Sequence, residues 1–312
     1  MYNEVKVFVP ASVSNVGCGF DTFGFAIEKL GDEITLRKTE GNDLIIKSIS
    51  GDKGKLPKDI RLNTVGAPLI TMMLENNISC GVELEINKYM PISSGLGSSA
   101  ACAVASAVAG NYLFDLNLSE NKLLEYALQG EKIASGGLHA DNVAPALFGG
   151  FILIRSYSPL DIIKLPTPEN LYCVIIYTDI EISTKEARRV LPECVPLKDA
   201  IKHWGNSAAL TAGLFMNDLN LIGRAVEDYI VEPARAFLIP NYAEIKNIAY
   251  KSGALACNIS GSGPSIFAFA GSSEIAGQIS TNIKEFMKTQ KYAYSIFVTK
   301  VNKQGALLIN RK

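Results

Sequence analysis

The chain has 312 residues, 48% of them apolar and 20% charged, the balance of an ordinary globular protein. That is about twice the ~150 residues that serve as a soft prior for one domain, so two domains are expected. A formal net charge of −1 supplies no basic field for nucleic acid or an acidic membrane surface, which leaves a small neutral or zwitterionic molecule as the expected partner.

Period-two alternation predicts strands at Val5–Val9, Ile34–Arg37, Leu44–Ile49 and Val82–Lys88. In the last of these Val82, Leu84 and Ile86 face one way, and Glu83, Glu85 and Asn87 the other. Helical spacing follows at Asn63–Glu75, Ser98–Phe114 and Ser119–Ala134, with Ser119 as N-cap of the third. An apolar strand at Gly150–Ile154 meets a polar, proline-bearing stretch, Ser156–Asn170, where a boundary between domains 1–160 and 161–312 is expected. The second half opens on a strand at Tyr172–Tyr177. Ser183 and Glu186 have the spacing of a capping box for a helix running to Leu191. Helices are expected at Leu197–Phe215, Leu219–Tyr229, Tyr242–Lys251 and Glu274–Met287, and strands at Leu255–Ile259, Ile266–Ala270 and Ala293–Val301. Strands and helices mix without strict βαβα alternation, so the class is α+β.

The six cysteines, at 18, 80, 102, 173, 194 and 257, form no CxxC pair and have no metal-ligand spacing. Isolated thiols at apolar positions such as Cys102 read as small core residues in a reducing compartment. The first residues lack an apolar signal core, and the longest apolar stretches fall short of the ~20 residues of a membrane span, so a cytoplasmic location is expected.

The most informative segment is PISSGLGSSAA, comprising Pro91, Ile92, Ser93, Ser94, Gly95, Leu96, Gly97, Ser98, Ser99, Ala100 and Ala101. It runs directly into an alanine-rich helix. Glycines let backbone N–H groups approach an anion, and a helix start adds unpaired donors and the positive end of its dipole, so the segment is read as a phosphate cradle for ATP. The bland alternative is a Gly/Ser loop that only caps a core helix. A dinucleotide fingerprint is excluded because the chain near 115–120 caps a second helix instead of supplying an acidic residue on a following strand. A Walker A loop is excluded because no lysine follows Gly97. Without a cation of its own the loop calls for Mg²⁺, held by a hydroxyl and a carboxylate, and Ser98 and Glu131 are the candidate ligands.

Three segments, PASVSNVGCGFD (Pro10–Asp21), PISSGLGSSAA (Pro91–Ala101) and NISGSGPSIFAF (Asn258–Phe269), together resemble the three motifs of the GHMP kinases. HADNVAPALFGGF (His139–Phe151), STKEARRVLP (Ser183–Pro192) and EPARAFLIPNY (Glu232–Tyr242) resemble the homoserine-phosphorylating branch of that family. The resemblance implies ATP-dependent phosphorylation of the side-chain hydroxyl of L-homoserine, on the way to threonine. It also implies an N-terminal domain with a left-handed βαβ crossover, a C-terminal ferredoxin-like domain, an active site between them and a homodimer. Within the resemblance Arg188 and Arg235 would bind the substrate carboxylate, whose planar geometry suits guanidinium. Asp21 would take the ammonium, and Asn15, His139, Thr184 and Gly261 would complete the substrate contacts. Asn63 would touch adenine. Asn142 would orient the hydroxyl, with the proton leaving late to phosphate or water, while Asp141 is the rival as base. The alternatives are a sister kinase for a hydroxy acid without an amine, such as mevalonate, and a non-catalytic nucleotide or amino-acid sensor. A substrate without an amine would leave Asp21 with no cation to bind.

Overall fold

The computed structural model describes residues 2–135, 137 and 139–312. Its first half is built on a mixed sheet of β1 (Glu4–Val16), β2 (Gly19–Thr39), β3 (Leu44–Ser50), β4 (Gly81–Asn87), β5 (Phe151–Tyr157) and β6 (Leu160–Leu165). β1 and β2 form a long antiparallel hairpin, with β4 on the far side of β2 and β3 parallel to β4. α1 (Gly66–Glu75) is the crossover between that parallel pair, making the expected βαβ unit. β5 pairs with β2 and carries β6 on its other edge.

Against this sheet lie α2 (Ser98–Phe114) and α4 (Ala140–Phe148), and α3 (Glu120–Ser135) packs on α2 and α1. α2 is apolar on every side, and Ala100 through Gly110 are all buried. A helix without a polar face belongs inside, and its alanines let the neighbouring elements approach closely. The residue range of α2 matches its sequence pattern, because the glycine loop and the left-handed Asp115 mark its two ends.

The second half folds as β7 (Tyr172–Thr178), α5 (Thr184–Arg189), α6 (Leu197–Met216), α7 (Leu219–Ala225), α8 (Val231–Arg235), α9 (Tyr242–Lys251), β8 (Ala256–Ile259), β9 (Ile266–Ala270), α10 (Ser273–Met287) and β10 (Tyr294–Lys300). Its four strands form an antiparallel sheet in the order β10-β7-β9-β8, the ferredoxin-like arrangement. Five consecutive apolar residues make up β9 because both its faces are covered. Phe267 and Phe269 point into the core shared with the first sheet, while Ile266, Ala268 and Ala270 join the core under α9 and α10. Phe25 on β2 and Phe151 on β5 meet these rings, with centroids 4.8 Å apart for Phe25–Phe151 and 5.4 Å for Phe25–Phe269.

Several elements differ from the pattern reading. β1 and β2 extend far past the alternating segments, since glycines at 19, 24 and 31 and register shifts near Pro10 and Ser14 interrupt the period without ending the pairing. α7 stops at Ala225, short of Tyr229. α4 forms despite Pro145 within it. The expected boundary at 160/161 falls just inside β6, which pairs with β5 in the first sheet. A last strand, β11 (Leu307–Arg311), returns to β1 and joins that sheet as well.

Candidate active site

A cavity of about 650 Å³ opens between the two halves, a volume suited to small ligands. One wall is the glycine loop. Ile92, Ser93, Ser94, Gly95, Gly97, Ser98 and Ser99 line it, whereas Pro91 does not, and Leu96, Ala100 and Ala101 are buried in the core. The loop's path requires glycine: Gly97 has φ of +68°, and a Cβ there would lie 2.1 Å from Ser12 Oγ. The third motif clamps the loop from outside. Ser260 Oγ donates to the Gly95 carbonyl at 2.6 Å, and the Ser265 N–H donates to the Ser94 carbonyl at 3.2 Å.

The two residues expected to hold a cation both reach this cavity. Glu131, on α3, is buried; its Oε2 accepts from Ser99 Oγ at 3.0 Å and its Oε1 lies 3.4 Å from His139 Nδ1. The hydroxyl bonded to Glu131 is therefore that of Ser99, while Ser98 Oγ donates to Asp32 at 3.1 Å. The hydrogen bond to Glu131 raises the pKa of His139, which favours its imidazolium form. A buried carboxylate with two hydroxyls at a helix N-terminus is an oxygen donor set that would fit a hard divalent cation.

On the opposite side the first motif brings its polar groups round a turn in which Asn15 and Asp21 both have positive φ. Asn15 accepts the Asp21 N–H at 2.8 Å and donates to the Gly261 carbonyl at 2.9 Å, which ties the first motif to the third. Arg188 Nη2 donates to Asp21 Oδ1 at 2.7 Å. Arg235 is buried, donates to the carbonyls of Ala187 and Gly261, and has its pKa lowered to about 10 by desolvation, which still leaves it charged at neutral pH. Both guanidinium groups lie over the Phe20 ring, at 5.2 Å for Arg188 and 5.0 Å for Arg235. Two arginines and an aspartate at one end of a cavity match a ligand carrying a carboxylate and an ammonium. Thr184, the first residue of α5, lines the same end, where the expected capping box of Ser183 and Glu186 opens the helix.

Between these ends stand Asp141 and Asn142, at the start of α4. Asn142 accepts from Ser12 Oγ and donates to Ser14 Oγ, each at 2.9 Å. Asp141 is only 1% exposed, its Oδ1 has no hydrogen-bond partner among the described residues, and burial pushes its pKa up to about 7, with Asp21 adding to the effect. Gly24 of β2 makes room for this helix start, since a Cβ there would lie 1.8 Å from the Asp141 carbonyl oxygen. Asn63 also lines the cavity; its amide is engaged locally, donating to the Pro57 carbonyl at 2.8 Å. Around it Leu56, Pro57, Leu62 and Thr64 form a wall that the sequence reading did not assign.

Two further residues escaped that reading. Asp32 and Lys88 form a buried ion pair directly under the loop. The loop thus has a lysine nearby, ten positions before Ser98 instead of after Gly97. The signal was present: Lys88 shares the inward parity of Val82, Leu84 and Ile86, and Asp32 that of Ile34 and Leu36, so each is a charge at a core-facing strand position. His203 lies outside the cavity, with Nδ1 3.7 Å from Asp228.

Known proteins resemble this chain over nearly its whole length. Residues 63–150 match the GHMP kinase N-terminal domain and residues 207–289 the GHMP kinase C-terminal domain. A homoserine kinase of Chlorobium phaeobacteroides is 44% identical, the match covering 98% of this chain and 99% of the relative. The crystal structure of a homoserine kinase from Cytophaga hutchinsonii superposes with a TM-score of 0.96 at 48% identity, covering 99% of this chain and 98% of that one. An L. major mevalonate kinase shares the fold, with a TM-score of 0.76 at 19% identity. With its fold, its three motifs and its near full-length relatives in agreement, the chain belongs to the GHMP kinases, in their homoserine kinase branch.

Proposed function

We propose that this enzyme transfers the γ-phosphoryl group of ATP to the side-chain hydroxyl of L-homoserine, giving ADP and O-phospho-L-homoserine. The observation that carries the reading is the juxtaposition, in one cavity, of the glycine loop and Glu131 with Asp21, Arg188 and Arg235. ATP lies with its phosphates on the loop and the start of α2, and its base beside Asn63, Leu62 and Pro57. Homoserine opens the Arg188–Asp21 ion pair and inserts its own two charges, carboxylate to Arg188 and Arg235, ammonium to Asp21. That exchange replaces one ion pair with two, which compensates for desolvating the zwitterion.

Phosphoryl transfer passes through a loose transition state, so alignment and charge neutralisation do most of the catalysis. Ser98 and Glu131 would hold Mg²⁺, which supplies positive charge to the β- and γ-phosphates. Asn142, fixed by Ser12 and Ser14, orients the acceptor hydroxyl. An amide takes no proton, so the hydroxyl proton leaves late, to the transferred phosphate or to water. His139 leans on Glu131 and faces the substrate carboxylate. The enzyme works as a homodimer in the cytoplasm, as the family resemblance implies.

A coupled ADP-release assay across homoserine, mevalonate, shikimate and galactose tests the reading. Turnover confined to homoserine is expected. Preference for an acceptor without an amine would overturn the roles given to Asp21 and the arginines.

A further inference from the structure

Asp32 and Lys88 take no part in the chemistry above, and their side chains are 0% and 2% exposed. Burying two charges is costly, and an apolar pair of similar volume commonly holds a fold as well or better. Stability alone therefore does not account for the pair. Its contacts do. Asp32 Oδ1 accepts the backbone N–H groups of Tyr89 at 2.8 Å and Met90 at 3.0 Å, where the chain leaves β4 for the loop. Asp32 Oδ2 accepts from Lys88 and from Ser98 Oγ, where the loop becomes α2. The Lys88 ammonium also donates to the Ser98 carbonyl, and it contacts Cys102 Sγ, each at 3.1 Å. One carboxylate thus holds the entry and the exit of the phosphate loop.

The direction of the Ser98 bond has a chemical consequence. A hydroxyl has one proton and two lone pairs. With its proton given to Asp32, Ser98 presents only acceptor character to the cavity, and a lone pair there repels a phosphate oxygen and attracts a cation. Outer carboxylates orient inner ligands in this way at metal sites, and their loss typically costs roughly 10–100-fold in affinity.

We propose that the Asp32–Lys88 pair is a positioning device that fixes the loop at both ends and holds Ser98 as an acceptor, so that the site takes the metal complex of the nucleotide in preference to the bare nucleotide. This rests on the nucleotide reading of the loop. The test is calorimetric titration of the full chain with ADP, once with Mg²⁺ and once with EDTA. The double variant Asp32→Leu/Lys88→Met replaces the pair by apolar groups. It is expected to bind MgADP roughly 10–100-fold more weakly, with metal-free ADP changed by less than about 3-fold on the same reasoning. Ser98→Ala, which leaves the pair intact, should show the same selective loss. Unaltered MgADP affinity in Ser98→Ala overturns the proposal, whether or not the double variant folds. Equal losses for MgADP and metal-free ADP in the double variant overturn it too, since the pair would then only shape the loop. A wild-type chain that binds neither form refutes the nucleotide reading, and this inference with it.

Discussion

Replacing Asp141 by asparagine keeps the shape of the side chain and removes its charge. Asp141 is buried, and its pKa is raised from an ordinary 3.8 to about 7, first by desolvation and then by Asp21. A folded-state pKa above the unfolded value means that the native chain binds the proton more tightly. Stability from this group is therefore complete below about pH 4 and is lost as pH rises through about 7. Linkage over these two values gives a loss on the order of 2 kcal/mol by pH 5 and on the order of 4 kcal/mol by pH 8. The amide that replaces the carboxyl in Asp141→Asn does not titrate. Urea unfolding of both proteins at pH 5 and pH 8 should show the wild type losing about 2–3 kcal/mol more than the variant over that interval. Parallel behaviour at the two pH values would refute the idea that burial controls this carboxyl. The same variant reports on the chemistry. If Asn142 orients the hydroxyl and the proton leaves late, kcat should stay within about tenfold of wild type; a loss near ~10³-fold with KM intact would make Asp141 the base.

Arg235→Leu should weaken homoserine by about 2–5 kcal/mol, read as a rise in its KM, with the KM for ATP little changed; an unchanged homoserine KM removes Arg235 from the site. Glu131→Gln should lower kcat and raise the Mg²⁺ concentration needed for half-maximal rate by roughly 10–100-fold; an unaltered Mg²⁺ requirement would dismiss Glu131 as a ligand. Gly97→Ala would drive a Cβ into Ser12 Oγ at a positive φ, so it should cost about 1–3 kcal/mol of stability and abolish tight ATP binding. Nucleotide affinity equal to wild type in that variant would show that the loop does not need its left-handed turn.

Much of this was legible in the chain, and the misses have a common cause. Local signals gave α2, α9 and β9 their ends, and the Ser183–Glu186 box placed α5. The glycine loop was readable because its chemistry is contiguous. The partners of its ends were not, since Asp32 comes from another strand and meets Ser98 across 66 positions. The same holds for Ser12 and Ser14 against Asn142, and for Ser260 against Gly95. Phe20, under both arginines, carries no local signal of that contact, since Arg188 and Arg235 come from distant helices. β11 escaped because its pairing with β1 spans nearly the whole chain. Local pattern names elements and loops; which of them become neighbours is decided by packing.

The doubly buried strand β9 also limits how this enzyme can move. Its residues alternate between two cores, and Phe267 and Phe269 interlock with Phe25 and Phe151 of the first sheet. A hinge opening between the halves would pull these rings apart and expose both faces of the strand, a large penalty for admitting a small ligand. Any closure over ATP and homoserine is therefore left to light peripheral parts that line the cavity: the segment around Leu56–Thr64 on the nucleotide side, and the short α5 with Arg188 on the other. Such parts rearrange faster than whole halves of a molecule can. The rigid frame keeps donor and acceptor in register from one turnover to the next, and the gating is left to its edges.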